Sequence, residues 1–239
     1  MSVSWNPWHG CHRISEGCKN CYVYRIDGSL GKESGAVTLN KDFLLPLRQT
    51  RGEMKIPAGE TVYTCFSSDF LIEEADEWRR DAWSMMKARE DLQFIFFTKR
   101  IERLSCLLPL DWGDGYENVT IGCTCENQER ADQRLPVFLS LPIRRRVIIC
   151  EPLLSPIDLS PYLDPRKIQS VSAGGESGEG ARVCDFAWVE QIRQACVAAK
   201  IPFSYHQTGA RLLKNGKLYQ IPRKHQHSQA RLANIDFTP

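Results

Sequence analysis

Six short runs of apolar, β-branched and aromatic residues punctuate the chain, at residues 61–65, 93–97, 119–123, 146–150, 168–173 and 202–206. Each has the length and composition of a strand buried on both faces, which a parallel sheet requires. Their starts lie about 22 to 34 residues apart. That spacing leaves room for a crossover helix between parallel strands, as in a βαβ unit.

The intervening segments read as helices. Residues 73–90 place Ala75, Trp78, Ala82, Met85 and Met86 on one face, with acids gathered in the first turns where they complement the helix dipole. Asp185 is an expected N-cap for a helix whose stripe is Val189, Ile192, Cys196 and Ala199. Shorter helices are expected over 22–30, 40–47 (closed by Pro46) and 99–108, and a weaker one over 126–141, interrupted by Pro136. Asn215-Gly216 between alternating apolar residues predicts a β-hairpin over 211–221.

With a first short strand near residues 3–5, the alternation predicts an α/β fold: a partial (β/α) TIM-like barrel of about six or seven mainly parallel strands. A chain of 239 residues with 42% hydrophobic and 25% charged residues has the length of one such barrel. Residues 1–210 are expected to form the barrel and 211–239 a basic hairpin and tail packed on it. There is no run of about 18 apolar residues to span a bilayer and no basic-then-apolar leader. The expected location is the cytoplasm, with no membrane partner.

In such folds the loops after the strand C-termini build the active face. This sequence loads them with polar groups: Ser67-Ser68-Asp69, Thr98-Lys99-Arg100, Cys123-Thr124-Cys125-Glu126-Asn127, Glu151-Pro152, the stretch from Gly174 to Arg182, and His206-Gln207-Thr208-Gly209. Any single cluster has a structural explanation, such as Asp69 capping the next helix. One per strand end is harder to attribute to turns alone.

Ten cysteines in a chain expected in a reducing compartment argue for ligands, reactive thiols or buried apolar thiols rather than disulfides. Cys11, Cys18 and Cys21 stand apart, because six and two intervening residues match no helical or strand period. A loop holding a metal or cluster explains them. Zinc, with His9 or His12 as a fourth ligand, is one occupant; a four-iron cluster held by three thiolates with one open iron is favoured. Cys123, Cys125 and Cys150, at adjacent strand ends, are expected to pack as small apolar groups, with a second metal site or a hydrogen-donating thiol as the other reading.

The residues Trp5-Asn6-Pro7, Gly10-Cys11, Gly17-Cys18-Lys19-Asn20-Cys21-Tyr22, Phe97-Thr98-Lys99-Arg100, Glu126-Asn127-Gln128, Glu151-Pro152-Leu153-Leu154, Gly174-Gly175-Glu176-Ser177-Gly178 with Ala181-Arg182, and Gln207-Thr208-Gly209 carry a resemblance over nearly the whole chain. The set resembles a radical-SAM-like family of phage and mobile-element proteins of largely unknown function. The resemblance implies a [4Fe-4S] cluster on Cys11, Cys18 and Cys21 and S-adenosyl-L-methionine on its open iron. It also implies reductive cleavage to a 5′-deoxyadenosyl radical that takes hydrogen from a substrate, with a reductant such as flavodoxin or ferredoxin as partner.

The chain departs from the usual radical SAM pattern in three places. Six residues separate the first two cysteines instead of three, Asn20 holds the usual aromatic position, and Gly174-Gly175-Glu176 follows the sixth strand rather than the second. Asp69, at the end of the second strand, is therefore the expected partner of the methionine amine. Tyr22 is a candidate for the adenine, and Lys99 and Arg100 for a carboxylate or phosphate. Ser67, Glu151, Glu176 and Arg182 complete the set of candidate cofactor contacts.

The formal net charge of +2 conceals an asymmetry: between Gln191 and Ile235 there are eight Lys and Arg and no Asp or Glu. With Arg211, Lys214, Lys217, Arg223 and Lys224, this segment favours a nucleotide or nucleic-acid substrate. The alternative function is a non-enzymatic nucleic-acid-binding protein stabilised by zinc or an iron–sulfur cluster.

Overall fold

The computed structural model describes residues 2–239. Its strands of four or more residues are β1 (Ser2–Trp5), β2 (Thr61–Thr64), β3 (Gln93–Thr98), β4 (Val119–Thr124), β5 (Arg145–Cys150), β6 (Ile168–Gly174), β7 (Phe203–Gln207), β8 (Arg211–Lys214) and β9 (Lys217–Gln220). The helices are α1 (Tyr22–Ser29), α2 (Asp76–Ala88), α3 (Gln128–Ser140), α4 (Phe186–Ala199) and α5 (Arg223–Leu232). Strands β1 to β7 form one seven-stranded parallel sheet whose spatial order is the chain order. A doubly wound sheet reverses its order at a switch point; this one does not, which is the topology of a partial (β/α) barrel.

By contact density the chain divides into two compact units, one of residues 2–12, 23–122 and 141–145, the other of 13–22, 123–140 and 146–239. In the first, β1 pairs with β2 and β2 with β3, with Val3 opposite Val62 and Val62 opposite Phe94. Helix α2 buries Ala82, Trp83, Met85 and Met86. The core is aromatic: Phe70 stacks on Phe96 at 4.4 Å and meets Trp83 edge-on at 4.9 Å, arrangements that add to area burial. Buried Arg79 and Arg89 donate to the carbonyls of Phe70 and Ile72, and of Pro46 and Ile56, in place of water.

In the second unit β6 lies between β5 and β7. Asp185 caps α4 by accepting from the Ala187 amide at 2.9 Å, as its sequence position predicts. Helix α3 continues through Pro136, where an interruption is expected from sequence. The proline gives up one helical hydrogen bond, and buried Leu135 and Phe138 on either side hold the segment helical. The hairpin β8–β9 turns on Asn215 (φ 51°) and Gly216 (φ 73°), the backbone a two-residue type I′ turn demands. Helix α5, absent from the sequence reading, contacts β7 and buries Gln226 and Ala230.

No helix among the described residues is long and apolar enough to cross a membrane.

Candidate functional site

In the first unit, the turn after β1 carries Cys11. Gly10 has φ +98°, and a Cβ there would stand 2.4 Å from the Ala36 carbonyl oxygen, so the position requires glycine. The segment is fixed on both sides: the Gly10 amide donates to Ser67 O (3.3 Å), the Cys11 amide to Ser34 O (2.8 Å), and the Tyr24 hydroxyl to the Cys11 carbonyl. Ser67 donates its amide to Asn6 Oδ1 at 3.0 Å and its hydroxyl to the Trp8 carbonyl at 3.3 Å.

Asp69, after β2, is buried and saturated. Its Oδ1 accepts from Thr98 Oγ1 (2.7 Å) and the Leu71 amide (2.9 Å), and its Oδ2 accepts from the Lys99 amide (3.0 Å) and pairs with Arg100 Nη1 (3.2 Å). Arg100 is thereby aimed at the cysteine turn: Nη1 lies 3.7 Å from Cys11 Sγ and Nη2 donates to the His12 carbonyl at 3.0 Å. Burial pulls the Arg100 guanidinium down, but Asp69 and Cys11 together hold it above its ordinary value. The Lys99 ammonium has no carboxylate partner among the described residues.

In the second unit, a turn of 3₁₀ helix over Glu16–Cys18 presents Cys18, whose sulfur lies 3.7 Å from the Ser15 hydroxyl. Arg130 of α3 grips Glu16 bidentately at 3.0 and 3.2 Å, and this holds the Glu16 carboxyl down to about 2. Asn20, between Cys18 and Cys21, donates to Glu176 Oε2 (2.9 Å) and to the Gly180 carbonyl (2.7 Å). Glu176 also takes Arg182 through Nη2 (2.5 Å), Nε (3.0 Å) and its backbone amide (2.9 Å). Burial raises the Glu176 carboxyl, but these donors outweigh it and leave the pKa lowered. The Gly-Gly-Glu stretch thus anchors the cysteine loop. Tyr22, at the start of α1, is exposed.

Gly175 allows that anchoring. A Cβ there would sit 2.3 Å from the Thr208 carbonyl oxygen. Gly175→Ala is expected to cost about 1–3 kcal/mol through forced backbone displacement, read as a lower urea midpoint; an unchanged midpoint would show that this approach is not needed.

Glu151, after β5, points its carboxylate at Ser172 Oγ (2.5 Å) and at His206 Nδ1 (2.7 Å). Sequence reasoning missed the partners Arg130, Arg134 and His227. Arg130 and Arg134 lie on α3 and His227 on α5, a helix the sequence reading lacked, and no spacing signal links them to the strand ends.

The cysteines fall into two populations. Cys65, Cys123, Cys125, Cys150, Cys184 and Cys196 are buried, whereas Cys11, Cys18 and Cys21 are half-buried and Cys106 is exposed. Burial pushes the Cys65, Cys123 and Cys150 thiols well above their ordinary range and the Cys184 and Cys196 thiols to about 12. Among the described residues no three or more His, Cys, Asp and Glu side chains are gathered as the ligand set of a metal ion.

No curated protein and no solved structure matches the chain. A family model described as a protein of unknown function, DUF5131, matches residues 1–233. With nearly the full length matched, the chain belongs to the DUF5131 family.

Proposed function

We propose that the chain is a radical-SAM-like iron–sulfur enzyme of the phage and mobile-element kind its motifs resemble, acting in the cytoplasm on a nucleotide or nucleic acid. Cys11, Cys18 and Cys21 would hold a [4Fe-4S] cluster. The observation that carries this reading is the partition of the thiols: Cys11, Cys18 and Cys21 are the three that are half-buried.

The chemistry around two of the three thiols supports the reading. Cluster thiolates are anionic and are tuned by hydrogen bonds to sulfur, and here Arg100 approaches Cys11 and the Ser15 hydroxyl approaches Cys18. When bound, the cluster supplies the electron for reductive cleavage of S-adenosyl-L-methionine. The chain's own residues position: Asp69 locks Arg100, Arg130 locks Glu16, and Glu176 with Arg182 locks Asn20. Lys99 is the cation left for an anionic group of cofactor or substrate.

One observation favours the second reading, a non-enzymatic metal-stabilised nucleic-acid binder. Arg211, Arg223, Lys224 and Arg231 are exposed without carboxylate partners among the described residues, a footprint that suits phosphates.

Anaerobic reconstitution followed by optical and EPR spectroscopy separates the two. The expected result is a four-iron signal that changes on addition of S-adenosyl-L-methionine, with 5′-deoxyadenosine formed under reduction. A colourless protein holding stoichiometric zinc sinks the enzyme reading. Nucleic-acid affinity, measured against salt, should fall steeply as salt rises; no affinity at low salt removes the nucleic-acid substrate.

A further inference from the structure

Outside the cysteine loop, the second unit brings two imidazoles together. In β7 the side chains of Phe203 and Tyr205 are buried, so the strand's alternation turns His206 to the other face, where it is exposed. On α5, Gln226 and Ala230 face inward and His227 stands beside them in the open. The ring centroids of His206 and His227 are 4.7 Å apart, with the rings inclined at 60°.

Both rings have the same nitrogen engaged. His206 Nδ1 faces the Glu151 carboxylate at 2.7 Å, and that carboxylate is itself held by the Ser172 hydroxyl at 2.5 Å. A Cβ at residue 174 would crowd it at 3.1 Å, so Gly174 leaves it room. His227 Nδ1 lies 3.0 Å from the carbonyl oxygen of His206. A carboxylate and a carbonyl are both acceptors, so in the neutral form of each ring Nδ1 carries the proton and Nε2 presents its lone pair. Imidazoles that bind metals are oriented in this way, with the far N–H given to a carboxylate or a backbone carbonyl.

We propose that His206 and His227 are the protein ligands of a divalent transition-metal site, with Glu151 as the residue that positions His206. Paired neutral imidazoles select zinc, cobalt, nickel or copper over magnesium and calcium. The remaining coordination positions are left to water or to an anionic oxygen. Lys224 and Arg231, three residues before and four after His227 on α5, share its side of the helix. Their charge suits a phosphate oxygen as the exogenous ligand. The site shares no ligand with the cluster proposed on the cysteine loop.

Cobalt(II) titration of the full-length protein tests this, because a cobalt spectrum distinguishes nitrogen and oxygen ligands from sulfur by the absence of a thiolate charge-transfer band. One cobalt per chain is expected to bind without that band. His206→Ala and His227→Ala should each lose at least about tenfold in affinity, and Glu151→Gln about 10–100-fold. His225→Ala, on the same helix but outside the pair, should leave the titration unchanged. The proposal is overturned if no cobalt binds, if all bound cobalt carries the thiolate band, or if His206→Ala and His227→Ala bind as the native protein does.

Discussion

Replacing Cys18 with alanine is expected to abolish stable iron binding, while the same replacement at exposed Cys106 leaves it intact. A cluster held by three thiolates loses a third of its protein ligands with any one of them, and the side chain beside the Cys18 sulfur is the Ser15 hydroxyl, at 3.7 Å. Iron content and the visible spectrum after anaerobic reconstitution measure the effect. Retained stoichiometric iron in Cys18→Ala excludes the ligand assignment. A positioning variant gives a graded counterpart, because Asp69→Asn removes the charge that aims Arg100 at Cys11 without touching a ligand. It should lower the iron retained rather than eliminate it.

The largest stability effect is expected at Arg134. Its guanidinium donates at 2.7 Å both to Glu126 Oε2 and to the Thr124 carbonyl, with Glu126 at 0% and Arg134 at 4% exposure. Removing one member of such a pair strands a buried charge and costs about 3–5 kcal/mol, whereas apolar replacement of both is often near neutral. Arg134→Met should therefore destabilise by about 3–5 kcal/mol, and Glu126→Leu with Arg134→Met together should recover a large part of it, both read from urea denaturation. A single-variant cost below about 1 kcal/mol would mean that Glu126 is not a charged group in the folded protein. The Glu126 side chain also packs where a Cβ on Gly17 would come within 3.0 Å. The pair thus forms the support under the turn that presents Cys18.

Most of the seven parallel strands were legible in the sequence because each centres on a short apolar, β-branched or aromatic run between polar ends, although β1, β6 and β7 alternate with polar residues. The N-cap at Asp185 and the Asn215-Gly216 turn were legible because each position requires a particular local chemistry. Pro136 misled because its local cost is overridden by burial of Leu135 and Phe138, which no window on the sequence reveals. Helix α5 has too few apolar residues to announce itself and depends on contact with β7.

For the site, the sequence identified the strand-end residues but not what they do to one another. Asp69 and Glu176 read as candidate cofactor contacts, and in the fold their carboxylates are taken up by Arg100 and by Arg182 with Asn20. Such pairings join residues as distant in sequence as Asn20 and Glu176 and leave no periodic trace.

The two populations of cysteine have a consequence for which thiols a reagent in solution can reach. Metal binding and alkylation both require thiolate, and burial makes that form costly at the enclosed positions. To an incoming soft metal ion or an electrophile, a chain with ten cysteines therefore presents four, at positions 11, 18, 21 and 106. Three of those four share one loop. The enclosed sulfurs are kept from such reagents by the fold itself.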